Sequence, residues 1–282
     1  MKATVDRREV EVESGDSVLT AVRAAGRDVP SLCWDPRTSP GGSCRTCLVA
    51  VDGDHLVAAC TTPATDGMVV RTDHPTATAA VRGTLELLAS SLPTRAFDLP
   101  AEHSELVRAC AAYGVTTPPP DGLAADRVDA SHPYVHFDPD LCISCGRCVR
   151  MCDEVQGTYA LTLAGRGPDT VLVAGAGDRW IDSPCVACGG CVDACPTGAL
   201  FEIGFRNPRP IETVTRTTCG YCGVGCSLDV YVRDDAVAAV KPAHDGPVNR
   251  GHACIKGRFA HAFARSPDRL TSPLIRRDGR LE

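Results

Sequence analysis

Cysteine is the residue type that could do chemistry here: there are 17 in 282 residues. From Cys142 to Cys152 the chain reads CISCGRCVRMC, and from Cys185 to Pro196 it reads CVACGGCVDACP. Both runs are C-x2-C-x2-C-x3-C, the second followed by Pro. Three thiolates two residues apart can wrap one face of an iron–sulfur cubane, while the fourth, leading away, ligates the other cluster. On that spacing Cys142, Cys145, Cys148 and Cys195 are expected to hold one [4Fe-4S] cluster. Cys185, Cys188, Cys191 and Cys152 are expected to hold a second. Zinc is the bland alternative, but zinc knuckles use pairs of Cys rather than quartets.

Two further sets follow from spacing. Cys33, Cys44, Cys47 and Cys60 are separated by 10, 2 and 12 residues, with Gly41-Gly42-Ser43 just before Cys44. Small residues there let backbone amides approach cluster sulfurs. The first interval departs from the plant-type C-x4-C-x2-C pattern, yet the set reads as a [2Fe-2S] site, with zinc again the alternative. In the C-terminal part, CGYCGVGC from Cys219 to Cys226 is followed by Cys254. Three close thiols and a distant fourth again suit a cubane. Sixteen cysteines are thereby assigned. Cys110 is left over and is expected to be a buried helix residue without a role. His55 reads as a surface residue beside a turn, and His252 as a local hydrogen-bonding residue.

The elements that must position these residues can be read from periodicity. Lys2 to Val5 and Glu9 to Val12 alternate around a turn, which predicts a β-hairpin. Ser17 is placed to cap a helix through Val18, Leu19, Val22 and Ala25, which Gly26 stops. Leu48 to Val51 and His55 to Ala59 predict a second hairpin, and Met68 to Arg71 a closing strand. Val81, Leu85 and Leu88 share a face of a helix within Thr76 to Leu92. A shorter helix is expected near Glu102 to Tyr113. Thr116 to Gly122, TTPPPDG, is a stiff linker. Ala160 to Ala164 and Thr170 to Ala174 read as a hairpin inserted between the two cysteine runs, suited either to covering a cluster or to docking a subunit. Trp180 is expected to pack under it. Ser227 to Val232 and Ala236 to Lys241 form a last predicted hairpin. The expected boundaries are 1–80 for the [2Fe-2S] domain and 81–133 for a helical connector with a Pro-rich linker. Residues 134–210 are expected to form the two-cluster domain, and 211–282 the last cluster lobe.

Composition excludes several classes. Aromatics are 5% of the chain and net charge is -6. A large aromatic core is not expected, and there is no basic footprint for nucleic acid. Small lobes that draw folding free energy from metal ligation suit this composition. The first residues show no apolar signal segment, and no apolar run approaches the ~20 residues a membrane helix needs. A cytoplasmic setting is expected, with no membrane insertion, where clustered thiols stay reduced and bind metal.

The CGYCGVGC run with NRGHACIKGR, from Asn249 to Arg258, resembles the N-terminal iron–sulfur lobe of molybdopterin oxidoreductases. Together with the two-strand–helix–Cys start of a β-grasp ferredoxin and the two-cluster ferredoxin runs, nearly the whole chain resembles one larger unit. That unit is the N-terminal iron–sulfur region of the α subunit of cytosolic NAD-linked, molybdopterin-dependent formate dehydrogenases. The large peripheral subunit of respiratory NADH dehydrogenase looks similar at both ends. Both cysteine quartets are intact here, which favours the formate dehydrogenase type; iron-only hydrogenases share the first domains but not C-x-K-G-R. The resemblance implies an α+β chain with a β-grasp [2Fe-2S] domain, a helical connector, a two-cluster ferredoxin domain and a small β-rich lobe. It implies one [2Fe-2S] and three [4Fe-4S] clusters, and Lys256 as an electron bridge between the last cluster and the pterin. Related chains hold a further cluster in the connector through a His and three Cys; His103 and Cys110 lie there, but with only one Cys three thiolates cannot be supplied, so that cluster is expected to be absent. The molybdopterin cofactor and the catalytic residues are expected in a missing or separate catalytic part. The expected partners are a molybdopterin-binding catalytic chain or domain and a flavin- or NAD-binding iron–sulfur subunit. The expected function is an electron-transfer module without acid–base catalysis of its own. A redox-sensing or adaptor iron–sulfur subunit is the competing expectation, as is a subunit of an NADH dehydrogenase- or hydrogenase-type complex.

Overall fold

The computed structural model of the chain describes residues 1–100, 103–115, 127–177, 179–203 and 210–282. The expected linker from Thr116 to Gly122 lies outside the described residues. The chain divides into two compact units, residues 1–185 with 190–203, and residues 186–189 with 204–282.

The first unit begins with β1 (Lys2–Val5) and β2 (Arg8–Glu11), paired antiparallel. Asp6 and Arg7 turn between them with φ of 45° and 70°, the doubly left-handed turn whose twist matches that of a hairpin. Helix α1 (Val18–Ala24) starts where the Ser17 side chain accepts a hydrogen bond from the Thr20 N–H, and Gly26 ends it with φ 69°. β3 (Leu48–Val51) and β4 (His55–Ala58) form the second hairpin, and β5 (Val69–Arg71) inserts between β1 and β3. The sheet order is β2-β1-β5-β3-β4, with only the β1–β5 pair parallel. Val5, Val18, Leu19, Val22, Val49 and Val70 are fully buried in the core that α1 and the sheet share.

Helix α2 (Pro75–Ser90) buries Ala77, Val81, Leu85 and Ala89, a stripe of every fourth residue, and lies against β3. The predicted stripe held Leu88; in the structure Ala89 takes the buried place and Leu88 is half-buried. Helix α3 (Glu105–Ala112), capped by Ser104, packs on α2 and buries Cys110. β6 (Val135–Phe137) then pairs antiparallel with β9 (Leu200–Glu202), closing the segment that holds both cysteine runs. Between them, α4 (Arg147–Arg150) continues into a π-helical turn, Met151–Gln156. The predicted inserted hairpin forms as β7 (Leu161–Ala164) and β8 (Val171–Ala174). Trp180 is buried with its ring 6.0 Å from that of Phe137, and its backbone N–H donates to Asp129. Short helix α5 (Gly190–Ala194) carries the end of the second run.

The second unit is built on the sheet β10 (Thr213–Thr218), β11 (Ser227–Arg233) and β12 (Ala236–Pro242), all antiparallel. Asp234 and Asp235, φ 51° and 54°, repeat the doubly left-handed turn of the N-terminal hairpin. β10 escapes sequence reading because its six residues, TVTRTT, are all exposed and show no apolar alternation. Helix α6 (Ile255–Phe259) follows Cys254, and β13 (Arg276–Arg277) and β14 (Arg280–Leu281) make a small hairpin at the end. Among the described residues no helix is long and apolar enough to cross a membrane.

Candidate metal centres

The loop between α1 and β3 carries Cys33, Cys44 and Cys47, and Cys60 follows β4. Cys33, Cys47 and Cys60 are buried and Cys44 is half-buried. Gly42 and Arg45 adopt φ of 61° and 57° and turn the loop. The Cys44 N–H donates to Cys33 Sγ at 3.4 Å, and Cys44 Sγ lies 3.1 Å from Thr46 Oγ1. Hydrogen bonds from the Cys44 and Cys60 thiols pull the Cys33 thiol far below its ordinary range. The Cys60 thiol pulls Cys47 down to about 7. Cys44 and Cys60, as the donors, are pushed up. Four thiols in mutual reach, two of them with lowered pKa, suit the thiolate donor set that iron requires.

The first cysteine run wraps a cavity. Cys142, Cys145, Cys148 and Cys195 line it together, so the last thiol of the second run closes the site of the first three. Phe137, Leu163 and Leu172 supply much of its apolar wall. Leu163 and Leu172 belong to the β7–β8 hairpin, and Ser144 Oγ donates to the Thr170 carbonyl at 3.2 Å. The inserted hairpin therefore covers this cavity. Burial pushes the Cys142 thiol up to about 11 and Cys145 to about 12, and Cys148 rises with them. The Ser144 amide aims at Cys142 Sγ, 3.4 Å away.

In the second set, Cys152, Cys185, Cys188 and Cys191 are all half-buried. Cys152 sits in the π-helical turn, and its Sγ accepts from the Ala160 N–H at 3.3 Å. Cys191 lies near enough to Cys148 to raise its pKa. The two runs share a backbone signature. Ser144 and Gly146 have φ of 51° and 70°, and Ala187 and Gly189, at the matching positions, have 53° and 74°. Left-handed residues at fixed places turn amides inward toward the sulfurs.

In the second unit, Cys219, Cys222, Cys226 and Cys254 come together closely enough for the other three to raise the Cys226 pKa, after burial, the largest cause. The Cys219 N–H donates to the Cys226 carbonyl at 2.8 Å, and a Cβ on Gly257 would lie 3.5 Å from Cys219 Sγ. Cys222 and Cys254 are exposed. Lys256, on the first turn of α6, is exposed too. Around the thiols Tyr221, Val224, Ile255 and Phe263 also reach solvent.

Sequence reading missed a set of charged residues beside the thiols. Arg147, inside the first cysteine run, is 4% exposed. Its Nη1 donates to both carboxylate oxygens of Glu105 at 2.9 Å, and its Nη2 lies 3.3 Å from Asp35 Oδ2. Burial raises the Asp35 carboxyl, but hydrogen bonds from Arg37 and the charges of Arg37 and Arg147 outweigh it and hold the group well below the usual carboxylate range. The signal was an Arg in the middle of CISCGRC, where a cubane site needs no cation. Among the described residues no group of three or more His, Cys, Asp or Glu is arranged for a single metal ion. A polynuclear cluster needs its thiolates spread around a volume instead.

Three family models match the chain in order: a 2Fe-2S iron–sulfur cluster binding domain over residues 1–75, the ferredoxin-like domain of NADH-quinone oxidoreductase subunit 3 over 132–201, and a molybdopterin oxidoreductase Fe4S4 domain over 212–266. The chain is 37% identical over 295 residues to the G 2 subunit of the NADH-quinone oxidoreductase of Rhizobium meliloti, an alignment of 100% of this chain and 33% of that one. It is 28% identical to a candidate formate dehydrogenase of Staphylococcus haemolyticus, over 98% of this chain and 32% of that one. The chain thus spans about a third of the length of these relatives. A solved chain of an NAD+-reducing [NiFe]-hydrogenase, in its H2-reduced state, superposes with a TM-score of 0.63 at 33% identity, over 74% of this chain and 90% of that chain.

Proposed function

The chain belongs to the iron–sulfur electron-transfer subunits that respiratory NADH dehydrogenases, formate dehydrogenase-like proteins and NAD+-reducing hydrogenases share, and we propose that it is a wire of four clusters. In this reading Cys33, Cys44, Cys47 and Cys60, in a β-grasp domain, hold a [2Fe-2S] cluster. Cys142, Cys145, Cys148 and Cys195 hold one cubane of a two-cluster domain, and Cys185, Cys188, Cys191 and Cys152 the other. Cys219, Cys222, Cys226 and Cys254 hold the last cubane. The clusters, once bound, supply one-electron redox chemistry; the chain's own residues hold, space and shield them. The observation that carries the reading is the single cavity lined by Cys142, Cys145, Cys148 and Cys195. Anaerobic reconstitution should give about 14 irons per chain. A few metal atoms with stoichiometric zinc would overturn it.

The wire would run between a molybdenum site on a catalytic part and a flavin- or NAD-binding subunit, in a cytoplasmic complex. The open thiols of the second unit support that placement, since Cys222, Cys254, Lys256 and their apolar neighbours await a cover. Lys256 would then bridge the last cubane and the pterin. Formate is the proposed substrate of the catalytic part. The higher identity to the respiratory subunit supports an NADH dehydrogenase-type assembly as the alternative. A pterin-bearing chain co-purifying with this one decides for the former; its replacement by quinone-reducing subunits decides for the latter.

A further inference from the structure

The geometry points to Arg150 as the positioning residue that joins the [2Fe-2S] loop to the two-cluster domain and tunes electron exchange between them. This rests on the cluster assignments proposed above. Arg150 lies on α4, midway between Cys148 and Cys152, which are assigned to different cubanes. Its Nη2 donates to the carbonyl oxygen of Cys33 at 2.5 Å, 117 residues away. Cys33 is 1% exposed and is an assigned [2Fe-2S] ligand. The guanidinium lies between two bare glycines. A Cβ at Gly41 would come within 2.8 Å of Nη2, and one at Gly146 within 3.1 Å of Nη1. Gly41 belongs to the [2Fe-2S] loop and Gly146 to the first cubane run, so both loops leave room for this one side chain.

Two flanking contacts hold the same seam. Glu154 accepts from the Ser39 N–H at 2.6 Å and from the Ser39 hydroxyl. Arg147, one turn earlier on the same helix, binds Asp35, which follows closely after Cys33. Three side chains at positions 147, 150 and 154 fall on one helical face, and each takes a partner in the loop from 33 to 39. A docking contact alone would not require the middle one to reach the ligand's own carbonyl.

The electron step is simple in balance. With the clusters bound, one electron would pass from the reduced [2Fe-2S] cluster to the oxidised cubane, with no bond formed or broken. A cation donating a hydrogen bond to the Cys33 peptide favours the more negative, reduced [2Fe-2S] cluster. The guanidinium's charge lies near the cubane ligands as well, but its hydrogen bond goes to the Cys33 carbonyl, so the balance Arg150 sets would favour electrons on the [2Fe-2S] cluster.

The test uses the reconstituted full chain with Arg150→Met, Arg150→Lys and Gly41→Ala, the last displacing the guanidinium without touching any cysteine. Low-temperature EPR during a potentiometric titration reads each cluster's occupancy and its relaxation by its neighbour. Arg150→Met and Gly41→Ala are expected to move the electron distribution from the [2Fe-2S] cluster toward the cubane by roughly three- to tenfold, a fraction of what a charge-assisted hydrogen bond contributes. Arg150→Lys should restore much of the shift by supplying a cation. Unchanged distribution and relaxation in Arg150→Met, with full iron content, overturn the role; if that variant fails to fold, the same result in Gly41→Ala does. A wild-type chain lacking the [2Fe-2S] or cubane signal would instead sink the cluster assignments and leave this inference without its premise.

Discussion

At the scale of single residues, apolar side chains decide how exposed a thiolate site is. Leu172 is 4% exposed and lines the cavity of Cys142, Cys145, Cys148 and Cys195. Reducing a four-thiolate cubane adds negative charge, which water and polar groups stabilise, so shielding holds the potential low. Leu172→Ser is expected to raise that cluster's midpoint potential by an amount on the order of 50 mV, close to a tenfold change in a one-electron equilibrium. Protein-film voltammetry checks it, and an unchanged or lowered potential would show that the hairpin does not shield the site. The residue scale is also where sequence was most and least legible. Cysteine spacing singled out the thiols of the first cavity because three of them are local along the chain and the repeat of the same run pointed to Cys195 as the fourth. Asp35, Glu105, Arg147 and Arg150 were not found because the contacts that tie them across the fold reach 42 to 117 residues along the chain. Apart from the place of Arg147 inside CISCGRC, nothing local distinguishes a buried, paired Arg from a solvated one.

At the scale of elements, the chain turns repeatedly on left-handed residues. The hairpins were legible because alternation and turn residues agreed; β10 was not, because it is exposed on every residue. The role of the β7–β8 hairpin could not be read from sequence, since covering a cluster and docking a partner call for the same alternation. The first cysteine run, folded around a cavity with α4 behind it, buries thiols that remain protonated in the metal-free chain. Cys142 is raised to about 11 and Cys145 to about 12, against about 9 when exposed. Groups whose folded pKa is raised give stability that is complete below the unfolded value and lost as pH climbs through the folded one. The reduced, metal-free chain is therefore expected to lose urea resistance between pH 9 and pH 12. Urea midpoints measured across that window check it; a flat profile would mean these thiols are not buried without metal. Loading with iron, which displaces those protons, should be correspondingly favoured as pH rises.

At the scale of the whole molecule, the four thiol sets differ in access. Three of the four thiols in the N-terminal set are buried, whereas Cys222 and Cys254 in the second unit are exposed. Under chelator in air, the chain without partners is expected to lose the iron of the Cys219–Cys222–Cys226–Cys254 site first, about four atoms, before the [2Fe-2S] signal declines. Mössbauer or EPR spectra taken through the loss check the order, and an early loss of the [2Fe-2S] signal would contradict it. Composition pointed to small lobes, since 5% aromatics leaves little for one large core, and the chain divides into two compact units. The matching φ values of Ser144 and Ala187, and of Gly146 and Gly189, have a consequence for engineering. A loop whose handedness recurs position for position is a cassette. The four-residue segments 143–146 and 186–189 should therefore be exchangeable in backbone even though their side chains differ.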